Sequence, residues 1–224
     1  MAIDTSTRIA SVALFDGCDV AAEITWQSEM NHTVELFPAI QHIMALAMIG
    51  MPDLTRLVVA IGPGSFNGLR VGLSAAKALS FGLRLPLVGI STLETQAYQH
   101  FWFDGPVCSL LRAGREEIFA ALFQRQDGAW RRLVDEHITT PQLLCDRVGG
   151  ESIFTGEIDI RLASEVMACW GPTAIIPPAE ARLRRAGFLA ALGWRRHEAG
   201  LAVDPATLQP LYLRRPPITM RKKP

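Results

Sequence analysis

The sequence predicts an α/β protein of two related lobes, and three observations carry that expectation. The stretch from Leu57 to Leu83 reads as a short apolar run, a Gly-Pro-Gly bend and a long apolar helix. That is the pattern of a strand covered on both faces and feeding a helix. The opening residues alternate as a three-strand meander before any helix begins. The same order, three strands and then helices alternating with strands, restarts after Phe103.

Taken in order, the first half places strands at 1–5, 8–15 and 19–26, with Asp16-Gly17 as the turn between the last two. A helix follows over 33–48, where Val34, Leu36, Phe37, Ile40, Ile43, Met44, Ala47 and Met48 occupy more than one face. Pro38 inside it predicts a kink or a later start. Met30 and Met51 flank its ends, and methionine suits irregular, adaptable contacts. Next come the Leu57 strand, a helix from Asn67 that Ser65 or Asn67 can cap, a strand at 86–90 and a helix from Ser91. The second half is expected to hold strands at 107–111, 117–123 and 130–137 and a helix from Pro141. A strand at 152–155, a helix from Ile160, a strand at 174–176 and a helix over 179–197 complete it. This divides the chain into lobes 1–103 and 104–224. The duplicated order is shared by actin, sugar kinases and the heat-shock chaperone ATPases. The expected fold is therefore a duplicated actin-like (ASKHA, RNase H-like) two-lobe architecture, an analogy that establishes no activity.

Composition narrows the function classes. Lys plus Arg and Asp plus Glu number 22 each in 224 residues, so no overall field draws the chain to nucleic acid or membrane. The exception is the tail, where Arg214, Arg215, Arg221, Lys222 and Lys223 cluster as a solvated terminus or an RNA contact. Cys18, Cys108, Cys145 and Cys169 are scattered without a CxxC, and no secretory leader is recognisable, which implies a reduced, cytoplasmic setting. Gln41 and His42 interrupt the longest apolar stretch before it reaches the roughly 18 residues of a membrane span. A soluble protein is expected.

Candidate chemistry centres on two places. Gly62, Gly64 and Ser65 could crowd amides around an anion at a helix N-terminus, or could be a purely structural turn. The loop is not a Walker motif, because Lys77 lies deep in the helix, and the spacing of Gly62, Gly64 and Gly68 is not that of a dinucleotide fingerprint. In folds of the expected type an acid on the first strand approaches nucleotide phosphates. Here that acid is Asp4, which followed by Thr5, Ser6 and Thr7 is equally a capped turn. Elsewhere, none of the five histidines sits near a nucleophile motif, and Ser65 is not in GxSxG. Glu116 and Glu117, adjacent on a strand, point to opposite faces.

The second place is a surplus of apolar helix surface. A core-facing stripe needs about three positions in seven, and the 67–83 helix exceeds it. Gly72, Ala75 and Ala76 would let another helix approach. A helix apolar on two sides is either deep in its own domain or at a subunit interface; two such helices in the first half favour the interface, with Leu36, Ile40, Met44, Leu69, Leu73, Ala76 and Lys77 as its expected residues. Each helix of about 25 Å is long enough for a bundle across a standard contact of roughly 1,600 Å².

Five ordered blocks then carry a family resemblance: AIDTST at 2–7, NHTVELFPAI at 31–40, AIGPGSFNGLRVGLSAAKALS at 60–80, GISTLE at 89–94 and PLYLRR at 210–215. Together they resemble the bacterial TsaB (YeaZ) proteins. EEIFAALF at 116–123 and FTGE at 154–157 extend the likeness, more loosely, into the second half. The resemblance implies a non-catalytic scaffolding subunit in making N6-threonylcarbamoyladenosine at position 37 of transfer RNAs. It implies pairing with a TsaD-like transferase through a helical bundle, a homodimer when alone, a TsaE-like ATPase in a larger complex, and tRNA contact through the complex. No cofactor is implied. The related transferase holds a metal with an HxxxH pair, but here Leu36 stands where the partner of His32 would be, and His32 with Glu35 is not that motif. Three departures stand out. Asn67 replaces a usual Thr, Arg112-Ala113-Gly114 replaces a usual acidic turn, and the chain starts two or three residues late, so that a short first strand or a misplaced start is expected. Two alternatives remain open: an actin-fold ATPase or phosphotransferase using Asp4 and the Gly62–Gly64 loop, and a self-sufficient homodimer with a separate task.

Overall fold

A computed structural model describes residues 1–29, 31–114, 116–145 and 147–214. The expectations placed on Met30, Arg215, Arg221, Lys222 and Lys223 lie outside the described residues. Strands β1 (Ala2–Asp4), β2 (Ile9–Phe15), β3 (Val20–Gln27), β4 (Leu57–Gly62) and β5 (Leu87–Ser91) form one sheet in the order β3-β2-β1-β4-β5. Strands β6 (Val107–Arg112), β7 (Ile118–Gln126), β8 (Ala129–Thr139), β9 (Ser152–Gly156) and β10 (Ala174–Ile175) form a second, in the order β10-β9-β6-β7-β8. The two orders are the same when the strands of each half are counted from its start. In both, the meander pairs antiparallel and the last two strands add in parallel. This is the duplicated actin-like fold.

Each strand of the first sheet alternates its side chains between two cores. Ile3, Val12 and Val59 pack beneath helices α1 (His32–Leu46) and α2 (Phe66–Leu83), whereas Ala2, Ala13, Val58 and Ala60 face the opposite side. Helix α6 (Ala186–Glu198) covers that opposite side with Leu189, Ala190 and Leu192. In the second sheet, α4 (Pro141–Leu144) and α5 (Ile160–Trp170) cover one face, where Leu144, Leu162 and Val166 meet Leu110 and Phe154. Helix α3 (Thr92–Tyr98) covers the other, with Leu93 and Ala97 against Val107, Phe123 and Ile153. Each sheet therefore borrows a helix from the opposite half of the chain. A split at 103 divides the strands between sheets, but α6 and the segment after it return to the first sheet. There Val203 N donates to Leu87 O at 3.0 Å and Leu211 N to Ile61 O at 2.7 Å.

Local chemistry shifts several boundaries. Helix α1 runs through Pro38, which lies on an exposed side where water can take the bond the ring removes. Ser65 rather than Asn67 caps α2, its Oγ accepting from Gly68 N at 3.3 Å. The helix expected over 179–197 is interrupted: Ala179–Arg182 is a 3-10 turn after Pro178, Leu183 is extended, and α6 starts at Ala186. That break delivers Arg184 into the interior.

Arg184 and Asp4 form a buried ion pair at 2.6 Å, with each side chain 2% exposed. Arg184 Nη2 also donates to Thr7 Oγ1 at 2.8 Å and Ile9 O at 3.1 Å. A second lock holds Glu94 Oε2 between Arg132 Nη2 (3.0 Å) and Arg196 Nη2 (2.6 Å). At a third, the Thr155 hydroxyl of β9 meets Gln96 Nε2 at 3.1 Å and His100 Nε2 at 2.9 Å.

Removing one partner of a buried pair strands the other charge, so Arg184→Met is expected to cost roughly 3–5 kcal/mol. The double variant Asp4→Asn/Arg184→Met should cost less than the sum of the single changes; urea melts of the four proteins measure the cycle. Burial lowers the His100 pKa from its ordinary 6.5 to about 4. The folded state thus favours the neutral ring. Stability should be independent of this group above about pH 6.5 and should fall as pH drops from there towards 4, because the unfolded chain then binds the extra proton. Denaturation of wild type and His100→Gln across that window should show a shallower slope in the variant.

Candidate functional site

At the loop after β1, both Asp4 carboxylate oxygens are taken. Oδ1 accepts from Ser6 N at 2.9 Å and Ser6 Oγ at 2.6 Å, and Oδ2 accepts from Arg184 Nε. The Gly-Pro-Gly bend is laid against this loop. Ser65 N donates to Ser6 O at 2.6 Å, and a Cβ on Gly64 would stand 2.1 Å from the same carbonyl oxygen. Gly62 adopts φ +113°, and a Cβ there would meet Leu211 O at 2.9 Å. The glycines thus permit backbone to pack on backbone. Asp4, Gly64 and Ser65 are brought together, but each is engaged by protein groups that a phosphate would have to displace.

A cleft of about 360 Å³ remains beside them, lined by Arg8, Ser65, Phe66, Arg112, Glu157, Tyr212 and Arg214 among others. Its arginines are mostly neutralised. Arg112 Nη2 contacts Asp159 Oδ1 at 2.7 Å, which helps hold that carboxyl below its usual range, and Arg214 pairs with Glu117. The Tyr212 ring packs on Phe66 with centroids 5.2 Å apart, so the segment around Tyr212 closes one side of the cleft.

His32 is buried at the start of α1, and among the described residues neither ring nitrogen makes a hydrogen bond of good geometry, the backbone of Thr7 being the polar group that acts on the ring. Burial lowers its pKa. Glu35 is engaged elsewhere: hydrogen bonds from the Ser28 hydroxyl and the Trp26 indole hold its carboxyl below the ordinary range, the indole nitrogen standing at 2.9 Å. Leu36, at 0% exposure, offers no ligand atom. Among the described residues no three His, Cys, Asp or Glu side chains are placed to share a metal ion.

The helical face needs a correction. Leu36, Ile40, Met44, Leu69, Leu73 and Ala76, expected at an interface, are all buried within the first lobe, and all but Leu69 belong to the core that α1 and α2 form with the sheet. Lys77 is half-buried, its Nζ near Ala206 O at 3.5 Å. The outward residues are others. A largely apolar groove of about 430 Å³ runs between the helices over Thr33, Phe37, Arg70, Val71, Ser74 and Ala78, with the buried Leu36 and Ala75 also lining it, so Leu36 alone of the expected residues forms part of this groove. Val34 (70%), Leu46, Met48 and Phe81 (59%) extend the exposed apolar surface along the same two helices. Their i, i+3 and i+4 spacing, as in Ser74, Ala78 and Phe81, was present in the sequence but diluted by polar neighbours. Arg184 was missed altogether, since nothing in Leu183-Arg184-Arg185 distinguishes a buried arginine from a solvated one.

Comparison with known proteins agrees with this architecture. The family model described as "TsaD: tRNA N6-adenosine threonylcarbamoyltransferase" matches residues 21–157. The tRNA threonylcarbamoyladenosine biosynthesis protein TsaB of Bacillus subtilis is 34% identical over 136 residues, 61% of this chain and 59% of that protein's length. Its namesake in Escherichia coli is 32% identical over 162 residues, 70% of each chain. The solved structure of YeaZ from Pseudomonas aeruginosa superposes with a TM-score of 0.79 at 22% identity, covering 95% of this chain and 98% of that one. With a family model over more than half its length and this likeness to named relatives, the chain belongs to the TsaB (YeaZ) family.

Proposed function

We propose that the chain is an accessory, non-catalytic subunit in the formation of threonylcarbamoyladenosine on tRNA, and that it pairs with a TsaD-like transferase through the outward groove of α1 and α2. The single observation that carries the pairing is that groove, flanked by exposed Val34, Leu46, Met48 and Phe81. Contiguous exposed apolar surface of this kind marks association sites. The same face would serve a homodimer when the partner is absent. A TsaE-like ATPase and tRNA belong to the larger assembly, and a cytoplasmic location follows from that role; no helix among the described residues is long and apolar enough to cross a membrane.

The nucleotide-handling alternative is disfavoured by the ion pair that occupies Asp4 and by the packing of the Gly62–Gly64 bend on the loop beside it. Neither feature leaves the acid free to approach a phosphate-bound metal.

Co-expression with the host's TsaD-like protein, purification through a tag on one chain and light scattering should give a stable mixed complex. Only homodimers or monomers, with ATP hydrolysis by the chain alone, would overturn the proposal. Phe37→Asp and Ala78→Arg should leave the melting temperature nearly unchanged and weaken the mixed complex by roughly a hundredfold or more, because each buries an unpaired charge at the contact. Leu73→Arg should instead unfold the first lobe, which a lost thermal transition would register.

A further inference from the structure

A second cavity, of about 470 Å³, lies where the end of α3, the β9–β10 edge and the start of α6 converge. None of its lining residues belongs to α1 or α2, so it is separate from the partner face proposed above. Its walls are mostly flat and apolar: Trp102, Ile153, Ile175, Pro177, Pro178 and Phe188. Trp102 is 69% exposed, an unusual position for an indole that no partner covers. The volume falls within the roughly 300–1,000 Å³ of ordinary small-ligand sites.

Four polar residues, Gln99, His100, Glu180 and Arg185, also line the cavity, and of these His100 is buried, at 4% exposure. Its proton can be placed by following the hydrogen bonds. Gln96 Nε2 donates to Arg182 O at 2.9 Å, which fixes the orientation of that amide. The same Nε2 therefore donates to Thr155 Oγ1 at 3.1 Å, and Gln99 Nε2 approaches the same oxygen at 3.4 Å. With both Gln96 and Gln99 donating to its two lone pairs, Thr155 is left to give its own hydrogen to His100 Nε2 at 2.9 Å. The neutral ring then carries its proton on Nδ1, which no group among the described residues engages, and His100 lines the cavity. Burial keeps the ring neutral at ordinary pH.

The remaining charges set the ligand class. Arg185 lines the cavity but is held by Glu23, with Nε at 3.0 Å, so among the described residues the cavity's wall offers no unpaired cation to a phosphate. Glu180 also lines the cavity, is exposed, has no ion pair among the described residues and can accept from an amino group. An aliphatic occupant would leave the Nδ1 hydrogen unsatisfied, and an anion would meet Glu180. We propose that this cavity binds an uncharged, amino-substituted heteroaromatic ring of the nucleobase class, stacked on Trp102 with a ring acceptor on His100 Nδ1–H. Such a ring presents an apolar face to the indole and an acceptor beside a donor on its edge.

The ring could come from a free nucleoside or from an unstacked base of single-stranded RNA, and two probes separate these sources. Adenosine and a short A/U-only single-stranded RNA would each be titrated into the full chain, read by Trp fluorescence and by the His imidazole resonances in ¹⁵N NMR. Saturable binding of adenosine that shifts the His100 Nδ1 signal and weakens roughly tenfold or more in Trp102→Ala supports the site and a nucleoside source. The same dependence with the oligonucleotide, but tighter than with adenosine, supports the site and an RNA source. Absence of saturable binding of either probe into the millimolar range would overturn the proposal. So would binding unchanged by Trp102→Ala, a substitution at an exposed position that the fold tolerates.

Discussion

The buried contact between Asp4 and Arg184 organises the molecule, because it ties the loop after the first strand to the entry of the last helix across almost the whole chain. To place Arg184 there, the chain must leave its 3-10 turn, run extended through Leu183 and restart as α6. α6 is then committed to the open face of the first sheet, where Leu189, Ala190 and Leu192 complete its core. The same contact engages Asp4, the acid that the sequence offered as its candidate for approaching a nucleotide. Buried ion pairs rarely add much net stability, but they are costly to break and so fix geometry.

The exchange of helices between halves makes the two lobes one unit. α3 leaves the first half to cover the second sheet, and α6 returns the favour for the first. Glu94 sits between Arg132 of β8 and Arg196 of α6, and Thr155 of β9 gathers the polar side chains of α3 and the residues after it. The chain end adds a strap from Leu87 past Ile61 to Ala113, where Arg214 donates to the carbonyl at 3.1 Å. Folds of this kind that turn over nucleotide depend on lobes that move relative to one another. Here several buried polar contacts would have to break for that motion, which suits a fixed platform presenting a helical face.

Much of this was legible in the sequence. The duplicated order of strands and helices followed from period-two and apolar-run patterns, and the resemblance in the first half rested on blocks that the structure shows to be in mutual contact, such as the 4–7 loop against Gly64 and Gly68. Register of burial on α1 and α2 was not legible. Both helices are apolar on more than one face, so hydrophobicity could say that they had surface to spare but not which residues supplied it. Leu36, Ile40 and Leu73 went to the sheet, where they pack with Ile3, Val12 and Val59. Phe37, Val34 and Phe81 were left outside. The helix swap was also hidden, since strand order is written in local patterns whereas the choice of sheet by α3 and α6 depends on contacts far apart in the chain.

The central claim is that this molecule acts through the outer face of α1 and α2 and not through the cleft between its lobes. Hydrogen–deuterium exchange on the chain alone and mixed with the TsaD-like transferase proposed as its partner tests it most directly, because it localises the contact without altering a residue. Added protection confined to peptides covering 32–48 and 66–83 is the expected result. Protection concentrated at 4–9 and 111–114, with those two helices unchanged, would contradict it.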